Sequence, residues 1–496
     1  VARWAATRPP VVWLAVSGLA YALLFYLAFG NRYSLMTIGP KAGATIASLN
    51  KLAPEGFWLY VGSFAAAFSL YGCGYGFGVR RADGRGMWAV VIGGGALLCA
   101  VMLPMYATDA ADIYDYIIRG RLSAIYGLNP LQATPRAVPD DPFFELAGWK
   151  NVPSAYGPAW EALAAVAARL AGDDHLTNVL VFKGIAVVGH ALTAMLVALT
   201  LRVLAPRRAL IGVFLFTWNP LIVYMTAGRG HNDIWLAATT VLGLYCMVKR
   251  WYVGGIGAAT LGALIKFIPA LYVPLFALIA LRDLPNVRAR IRFVILSAMV
   301  SGALAVVLYG PYWFGLETLR AGRRTAMYTG SAPTVLRQLL APILDGKNGD
   351  SWTTETPITN ALLANATLIL FGACYVGVLW AAYQQRDPYS VIQAVVVMLF
   401  AYLLVASLWL MSWYVVWVLP AAALLPDGAL RRYALIFSYA VTWQTPIYQY
   451  VTLRYTGFAP IPWRDLIPIS FYLLPGYGLI AWFWLRAWAR RRGNHA

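Results

Sequence analysis

The chain has 496 residues, of which 60% are hydrophobic and only 12% charged, and its mean hydropathy is +0.64. Soluble domains carry about a quarter charged residues, so this composition excludes an ordinary water-soluble enzyme and indicates a polytopic membrane protein. The formal net charge is +19, but the basic residues lie between apolar runs and form no single patch. That pattern fits membrane topology and argues against nucleic acid as a partner.

A crossing needs about 20 apolar residues. In chain order, such runs fall near 11–29, 57–79, 87–106, 178–204, 209–226 and 231–248, then 252–281, 292–312, 361–383, 390–408, 411–426, 431–450 and 466–488. The first run lacks a cleavage site and is expected to be a span, not a removable signal. The run at 252–281 is too long for one crossing and is interrupted by Lys266 and Pro269. It reads as a hairpin of two short or tilted helices, which brings the total to about 14 membrane segments. Charge supports this parity. With the N-terminus inside, the inner segments collect roughly 21 of the 39 Lys and Arg residues, among them Arg80, Arg81, Arg207, Arg208, Arg288 and Arg431. A single crossing at 252–281 would move the Arg282–Arg292 cluster to the outer face.

The expected fold is therefore an all-α integral membrane bundle. Residues 1–86 form two N-terminal transmembrane helices, 87–426 a transmembrane core with outer loops 107–177 and 313–360, and 427–496 the C-terminal helices. No soluble domain and no internal repeat are expected. All four cysteines lie in apolar runs, which indicates neither a disulfide framework nor a zinc site. The first outer loop predicts an interfacial helix from Ala110 to Tyr126, capped by Thr108 or Asp109, with a polar stripe of Asp112, Asp115, Tyr116, Arg119 and Ser123. A second helix starts near Pro158. The other outer loop carries Arg320, Arg323, Arg324 and Arg337, and a short amphipathic segment with Val335, Leu336, Leu339, Leu340 and Ile343.

Several constellations carry possible chemistry. Asp109 and Asp112 could simply cap a helix, where acids are stabilised by the exposed N–H groups. One of them could instead be a general base that accepts a proton from a hydroxyl, and the residue pattern alone does not choose between the two. Gly228-Arg229-Gly230-His231-Asn232-Asp233 packs four polar side chains into one turn between spans. It reads either as a plain polar connector or as a holder of phosphate and sugar hydroxyls. Lys266, in the middle of an apolar run, either snorkels from the hairpin tip or neutralises a lipid-borne phosphate. Arg323 and Arg324 fit a headgroup-facing surface or the same phosphate. Trp413 and Tyr414, with Trp409 and Trp417, form an interfacial aromatic belt in the plainer reading and a sugar-stacking surface in the other.

Taken in order, DIYDYIIRGRLSAIYGLNPL, SAYGPAWE, GHNDIW, GALIKFIPALYVPL and SWYVVWVLP resemble the polytopic glycosyltransferases of the GT-C superfamily. The nearest likeness is to the polyprenyl-phosphate-mannose-dependent mannosyltransferases of mycobacterial and corynebacterial type, and it covers roughly residues 100–420. The resemblance implies a GT-C-like bundle and inverting transfer of a sugar, mannose before arabinose or glucose, from a polyprenyl-phosphate donor on the outer side of the cytoplasmic membrane. The acceptor would be a glycan or glycolipid. Asp112 matches the family's catalytic aspartate, with Asp109 in reserve. Lys266, His231, Arg229, Arg323 and Arg324 would meet the donor phosphate, and Asn232, Asp233, Tyr156, Trp160, Trp413 and Tyr414 the substrates. No cofactor or obligatory metal is expected, although the Asp109/Asp112 pair leaves a divalent ion open. A lipid-linked sugar flippase would share the basic cavity and the many spans.

Overall fold

The computed structural model describes residues 9–109, 112–320, 327–347, 349 and 355–451, with scattered positions between 470 and 478. Among these residues the chain is helical, and β pairing is confined to the two isolated bridges Ser34–Met105 and Thr329–Trp409. All but a few positions of the predicted span at 466–488, and residues Arg323 and Arg324, lie outside the described residues.

Three long helices open the bundle: α1 (Pro10–Phe25), α2 (Pro54–Cys73) and α3 (Arg85–Met102), with π-helical turns extending α1 to Gly30 and α2 to Val79. The next pair, α4 (Asp112–Ala124) and α5 (Pro158–Ala171), precedes α6 (His175–Leu204). At about 1.5 Å per residue α6 is about 45 Å long, longer than the roughly 30 Å hydrocarbon core. Its first turns accordingly rise out of the apolar bundle and pack against α4 and α5. The predicted run at 209–226 is a bent span: α7 (Ala209–Thr217) breaks at Trp218–Asn219 and resumes over Pro220–Gly228 at 53°. Pro220 lacks the N–H a continuous helix needs, and Asn219 caps the second half through Leu221 and Ile222 N–H.

After α8 (Asp233–Val248), the long apolar run divides at the predicted place. α9 (Tyr252–Ala263) and α10 (Tyr272–Asp283) are twelve residues each, joined across Leu264–Phe267 and a 3-10 turn at Ile268–Leu271. Then come α11 (Val287–Tyr309), α12 (Ala332–Leu344), α13 (Pro357–Gln384), α14 (Ser390–Ala401) and α15 (Ala429–Ala440). Among the described residues six helices are long and apolar enough to cross a membrane alone, and the bent pair makes a seventh. The 14-segment expectation further needs shorter helices such as α8, α9 and α10 to enter the bilayer.

The buried residues form two cores. The larger runs through the bundle from Leu14 to Leu473, and a smaller one beside the Asp112 end gathers Ile113, Ile117, Leu122, Phe143, Trp160 and Phe182. This second core corrects the expectation of an interfacial helix at 110–126. In α4 every residue from Ile113 to Leu122 is buried, because loop 128–157 folds over it. Arg119 holds that loop through Val152 O (3.1 Å) and pairs with Asp115 (3.4 Å), whose Oδ1 accepts Trp149 N–H at 3.0 Å. Gly120 allows α5 to cross closely, since a Cβ there would sit 2.3 Å from Ala164 O. In the second predicted outer loop α12, capped by a Ser331–Thr334 box, does expose an apolar face. Its Leu336, Leu339 and Ile343 are open, as an interfacial helix requires, while Arg337 is buried against Thr356, Asn360 and Gly349 O.

At the other end of the bundle, arginines cap helix C-termini, where carbonyls lack partners. Arg282 donates to Ala382 O (2.8 Å) and Gln385 O (2.5 Å), and Arg208 and Arg431 both donate to Leu425 O. Helix α11 connects the two ends. Its C-terminal extension reaches the Asp112 layer through Asn129 Nδ2 to Tyr312 O at 2.7 Å, while Arg288 lies at its start, about 30 Å away along the axis. Exposed cysteines at Asp140 and Arg288, in a chain without its exposed Cys73 and Cys374, should be labelled by an impermeant maleimide from opposite sides of the membrane. Labelling of both from one side contradicts this arrangement.

Candidate active site

Three chain segments converge at the start of α4. The first is α4 itself, which presents Asp112 and, one turn on, Tyr116. The second is the turn 228–233. It is held by Gly230 N–H to Thr226 O (2.8 Å) and His231 N–H to Met225 O (3.1 Å). Gly230 has φ 72°, and a Cβ there would lie 2.9 Å from Ile113 and 3.2 Å from Lys183, so both its left-handed backbone and the close passage to α4 require glycine. Lys183 fastens the floor by donating to Leu103 O at 2.8 Å and to Met105 O. The third segment is the break between α9 and α10. Gly157 and Ala159 N–H donate to Ile265 O (2.9 Å) and Leu264 O (3.0 Å). A Cβ on Gly157 would overlap Leu264 O at 2.0 Å. The SAYGPA and LIKFIP segments therefore meet in one backbone contact, through Leu264 and Ile265.

That contact brings Lys266 beside Tyr156. The ammonium pairs with Asp233 Oδ1 at 2.6 Å and lies over the rings of Tyr414 (4.9 Å), Trp417 (5.1 Å) and Tyr156 (5.6 Å). Trp417 Nε1 donates to the same carboxylate oxygen at 2.5 Å. The Asp233 side chain is 1% exposed and that of Lys266 16%. Such a pair is costly to form and more costly to break from one side.

Asp112 faces a different partner. Its Oδ2 is 3.6 Å from His231 Nδ1, beyond hydrogen-bond length, and 17% of its side chain is open. Burial, reinforced by Asp115 and Asp233, raises its pKa to about 6, against the opposing pull of Lys266 and Arg229. The His231 imidazole stacks on Trp413 with centroids 4.4 Å apart. Burial together with Arg229 and Lys266 holds its pKa well below the usual histidine value, so the ring is neutral. Tyr156 OH donates to Tyr116 OH (3.4 Å), which donates to Asn232 Oδ1 (3.2 Å), turning the Asn232 amide nitrogen away from that chain.

The turn keeps polar atoms without protein partners. Arg229 Nε and Nη2, both His231 ring nitrogens, Asn232 Nδ2 and Asp233 Oδ2 are buried and unbonded. Arg229 reaches only Met225 Sδ at 3.7 Å and the faces of Trp413 and Tyr224. A buried guanidinium without a carboxylate is expensive, and three N–H-bearing groups along one turn, those of Arg229, His231 and Asn232, make a ready oxyanion receptor.

The family model described as alpha-(1->6)-mannopyranosyltransferase, N-terminal domain, matches residues 35–282. The chain belongs to that family. It is also 21% identical over 164 residues to the alpha-(1->6)-mannopyranosyltransferase A of Corynebacterium glutamicum, an alignment that covers 33% of this chain and 33% of that protein. The family segment contains Asp112, the turn at 228–233 and Lys266, and ends before the aromatic residues at 413–417.

The structure brings Asp112, Arg229, His231, Asn232, Asp233, Lys266, Tyr156, Trp413 and Tyr414 into one cluster. Trp413, Tyr414 and Trp417 turn inward onto His231, Lys266 and Asp233, which departs from the belt expected on composition. Trp160 is 2% exposed and packs beneath, edge-on to Tyr116 at 5.0 Å, so it supports the wall and does not line it. Asp109 is engaged elsewhere: its carboxylate accepts Ile46 N–H (2.9 Å), Gln449 Nε2 (2.5 Å) and Thr108 Oγ1 (2.8 Å). It ties loop 44–46 and the chain near 449 to the start of α4, and does not form an ion-binding pair with Asp112. Sequence reasoning left out Tyr116 and Lys183 as partners of the site and named Trp417 only within the aromatic group. Tyr116 carries a findable signal, four residues from Asp112 on one helix face. So does Lys183, which like Lys266 is a lysine inside an apolar run.

Removing one member of the Lys266–Asp233 pair strands a buried charge. Lys266→Ala should cost about 3–5 kcal/mol of stability, read as a lowered midpoint of thermal unfolding in detergent. Lys266→Met with Asp233→Asn should recover most of it. A Lys266→Ala chain as stable as the parent contradicts this reading of the pair.

Proposed function

We propose that the chain is an inverting glycosyltransferase that moves mannose from a polyprenyl-phosphate donor to a lipid-linked or cell-envelope glycan on the outer side of the cytoplasmic membrane, with Asp112 as general base. The observation that carries this reading is the juxtaposition of a partly open, pKa-raised carboxylate with unpaired cationic and neutral N–H donors on the adjacent turn. An acceptor hydroxyl attacking the sugar C1 loses its proton to Asp112. The departing oxygen of the phosphate gathers charge and is met by Arg229, His231 and Asn232. Fixed donors aimed at developing charge contribute several kcal/mol.

The named activity of the corynebacterial relative supports mannose as the sugar. A lipid-borne donor is supported by the setting. The candidate site lies where apolar helices end, and the described residues contain no strand-turn-helix nucleotide fold. Lys266 was expected at the donor phosphate, yet its ammonium is committed to Asp233. Its role is thus to hold the turn and the aromatic wall, with its charge felt at the phosphate from behind. Arg323 and Arg324 stay candidates for the same phosphate.

The test is kinetic. Asp112→Asn keeps size but cannot take the proton, so transfer from polyprenyl-phosphate mannose should fall by about 10²–10⁴. Folding holds the Asp112 charge at a cost, since its pKa is raised, so above pH 6 the variant should be no less stable than the parent. The ionised form is the active one. The parent's rate should therefore drop about tenfold per unit as pH falls below about 6, where an exposed aspartate would keep its charge to near 4. Full activity of Asp112→Asn, or equal transfer from a water-soluble nucleotide sugar, would overturn the proposal. Movement of donor lipid across the bilayer without a new glycosidic bond would favour a flippase.

A further inference from the structure

A well-formed cavity lies away from the Asp112 cluster. It has a volume of about 610 Å³ and runs between α3 and α6, from Trp88 and Arg202 at one end to Leu103 and Val187 at the other. Both helices pack on α7 and leave a gap between themselves, with Val213 and Thr217 of α7 as its floor. Small side chains keep the walls low: Gly95, Ala96 and Ala100 on α3, and Ala191, Ala194 and Ala198 on α6. Fifteen residues separate the ends on each helix, so the groove is about 22 Å long. Its volume falls in the usual range for a small-molecule pocket, about 300–1,000 Å³.

We propose that this groove holds one acyl chain of an anionic phospholipid whose headgroup sits at Arg202. Its wall is apolar, and Ile92 and Met195 on it are exposed, as a surface meeting bilayer hydrocarbon would be. The Arg202 guanidinium lies 5.7 Å from the Trp88 ring centre, and among the described residues no carboxylate pairs with it. It is two residues from the end of α6, at headgroup depth, where arginine attracts anionic lipid and tryptophan settles at the interface. The sugar donor is the wrong occupant on charge grounds. A polyprenyl phosphate reacting at Asp112 must place its phosphate at the Leu103–Val187 end. The nearest cation there, Lys183, is already bound to Leu103 O and Met105 O. The cation of the groove is at the far end.

The experiment is lipid exchange followed by analysis of retained lipid. The full chain is stripped in detergent, reconstituted into nanodiscs with equal phosphatidylglycerol and phosphatidylcholine, re-extracted mildly, and its lipid quantified by mass spectrometry. The parent should retain about one phosphatidylglycerol per chain in preference to phosphatidylcholine. Ala194→Trp, which fills the groove, should lose it. Arg202→Ala, a change at an exposed position, should retain lipid but lose the preference for the anionic headgroup. Retention unchanged in Ala194→Trp, a preference unchanged in Arg202→Ala, or displacement of the phospholipid by added polyprenyl phosphate would each overturn the proposal. The Arg202→Ala result decides the matter if Ala194→Trp does not fold.

Discussion

Asp233 starts α8 with its carboxylate buried, and the arrangement around Asp112 depends on how that charge is held. Lys266 supplies the counter-charge at 2.6 Å and Trp417 a hydrogen bond at 2.5 Å. Lys266 can reach only because the apolar run at 252–281 breaks where it does, and the break is itself gripped by the backbone of the SAYGP segment. A single ion pair thus ties α8, the α9–α10 break, loop 152–157 and the 412–417 turn together. With that corner fixed, the turn 228–233 has one conformation, and α4 can rest against it through Gly230.

The polar groups of the molecule divide by how they are satisfied. Arg119, Arg121, Arg282, Arg337, Asp109 and Lys183 each have close protein partners that account for them as ties between segments. Arg121, for example, pairs with Asp141 and Asp173, both at 2.7 Å. The unpaired buried atoms elsewhere are largely isolated hydroxyl, indole or carboxylate atoms such as Tyr21 OH, Trp160 Nε1 and Glu161 Oε2. At 229–233 they come from four residues of one turn, and Arg229, unlike Arg119 and Arg431, bonds no oxygen among the described residues. Natural proteins rarely leave such groups without partners, and a concentration of them beside a raised-pKa aspartate is the physical mark of a site shaped for a charged ligand.

Much of this was legible in the sequence, for reasons that differ by feature. The long helices follow from apolar runs of spanning length, and the break at Lys266 and Pro269 from a charge and a missing N–H inside such a run. The family follows from five motifs in order. The motifs also named most of the cluster, because a short turn rich in Arg, His, Asn and Asp is conspicuous between apolar spans. What the sequence concealed was long-range pairing. Nothing local in Lys266 says that its ammonium meets Asp233, or that Trp413 faces His231 and not lipid. The burial of α4 was hidden for the same reason: its polar stripe looks solvent-facing until Trp149 and Val152, some 30 residues on, satisfy Asp115 and Arg119. Asp109 and Asp112, three residues apart, are near-equivalent by residue pattern; the family resemblance favours Asp112, and in the structure Ile46 and Gln449 claim Asp109.

The central claim is that the turn at 229–232 receives a lipid-borne phosphate, and binding of the product side tests it without any chemistry. Affinity for polyprenyl phosphate would be measured in nanodiscs for the parent and for Arg229→Gln, with thermal unfolding as a control on the fold. The account predicts at least a tenfold weaker affinity in Arg229→Gln, with its unfolding midpoint equal to or above the parent's, since the substitution removes a buried unpaired charge. An unchanged affinity for polyprenyl phosphate in that variant would contradict it.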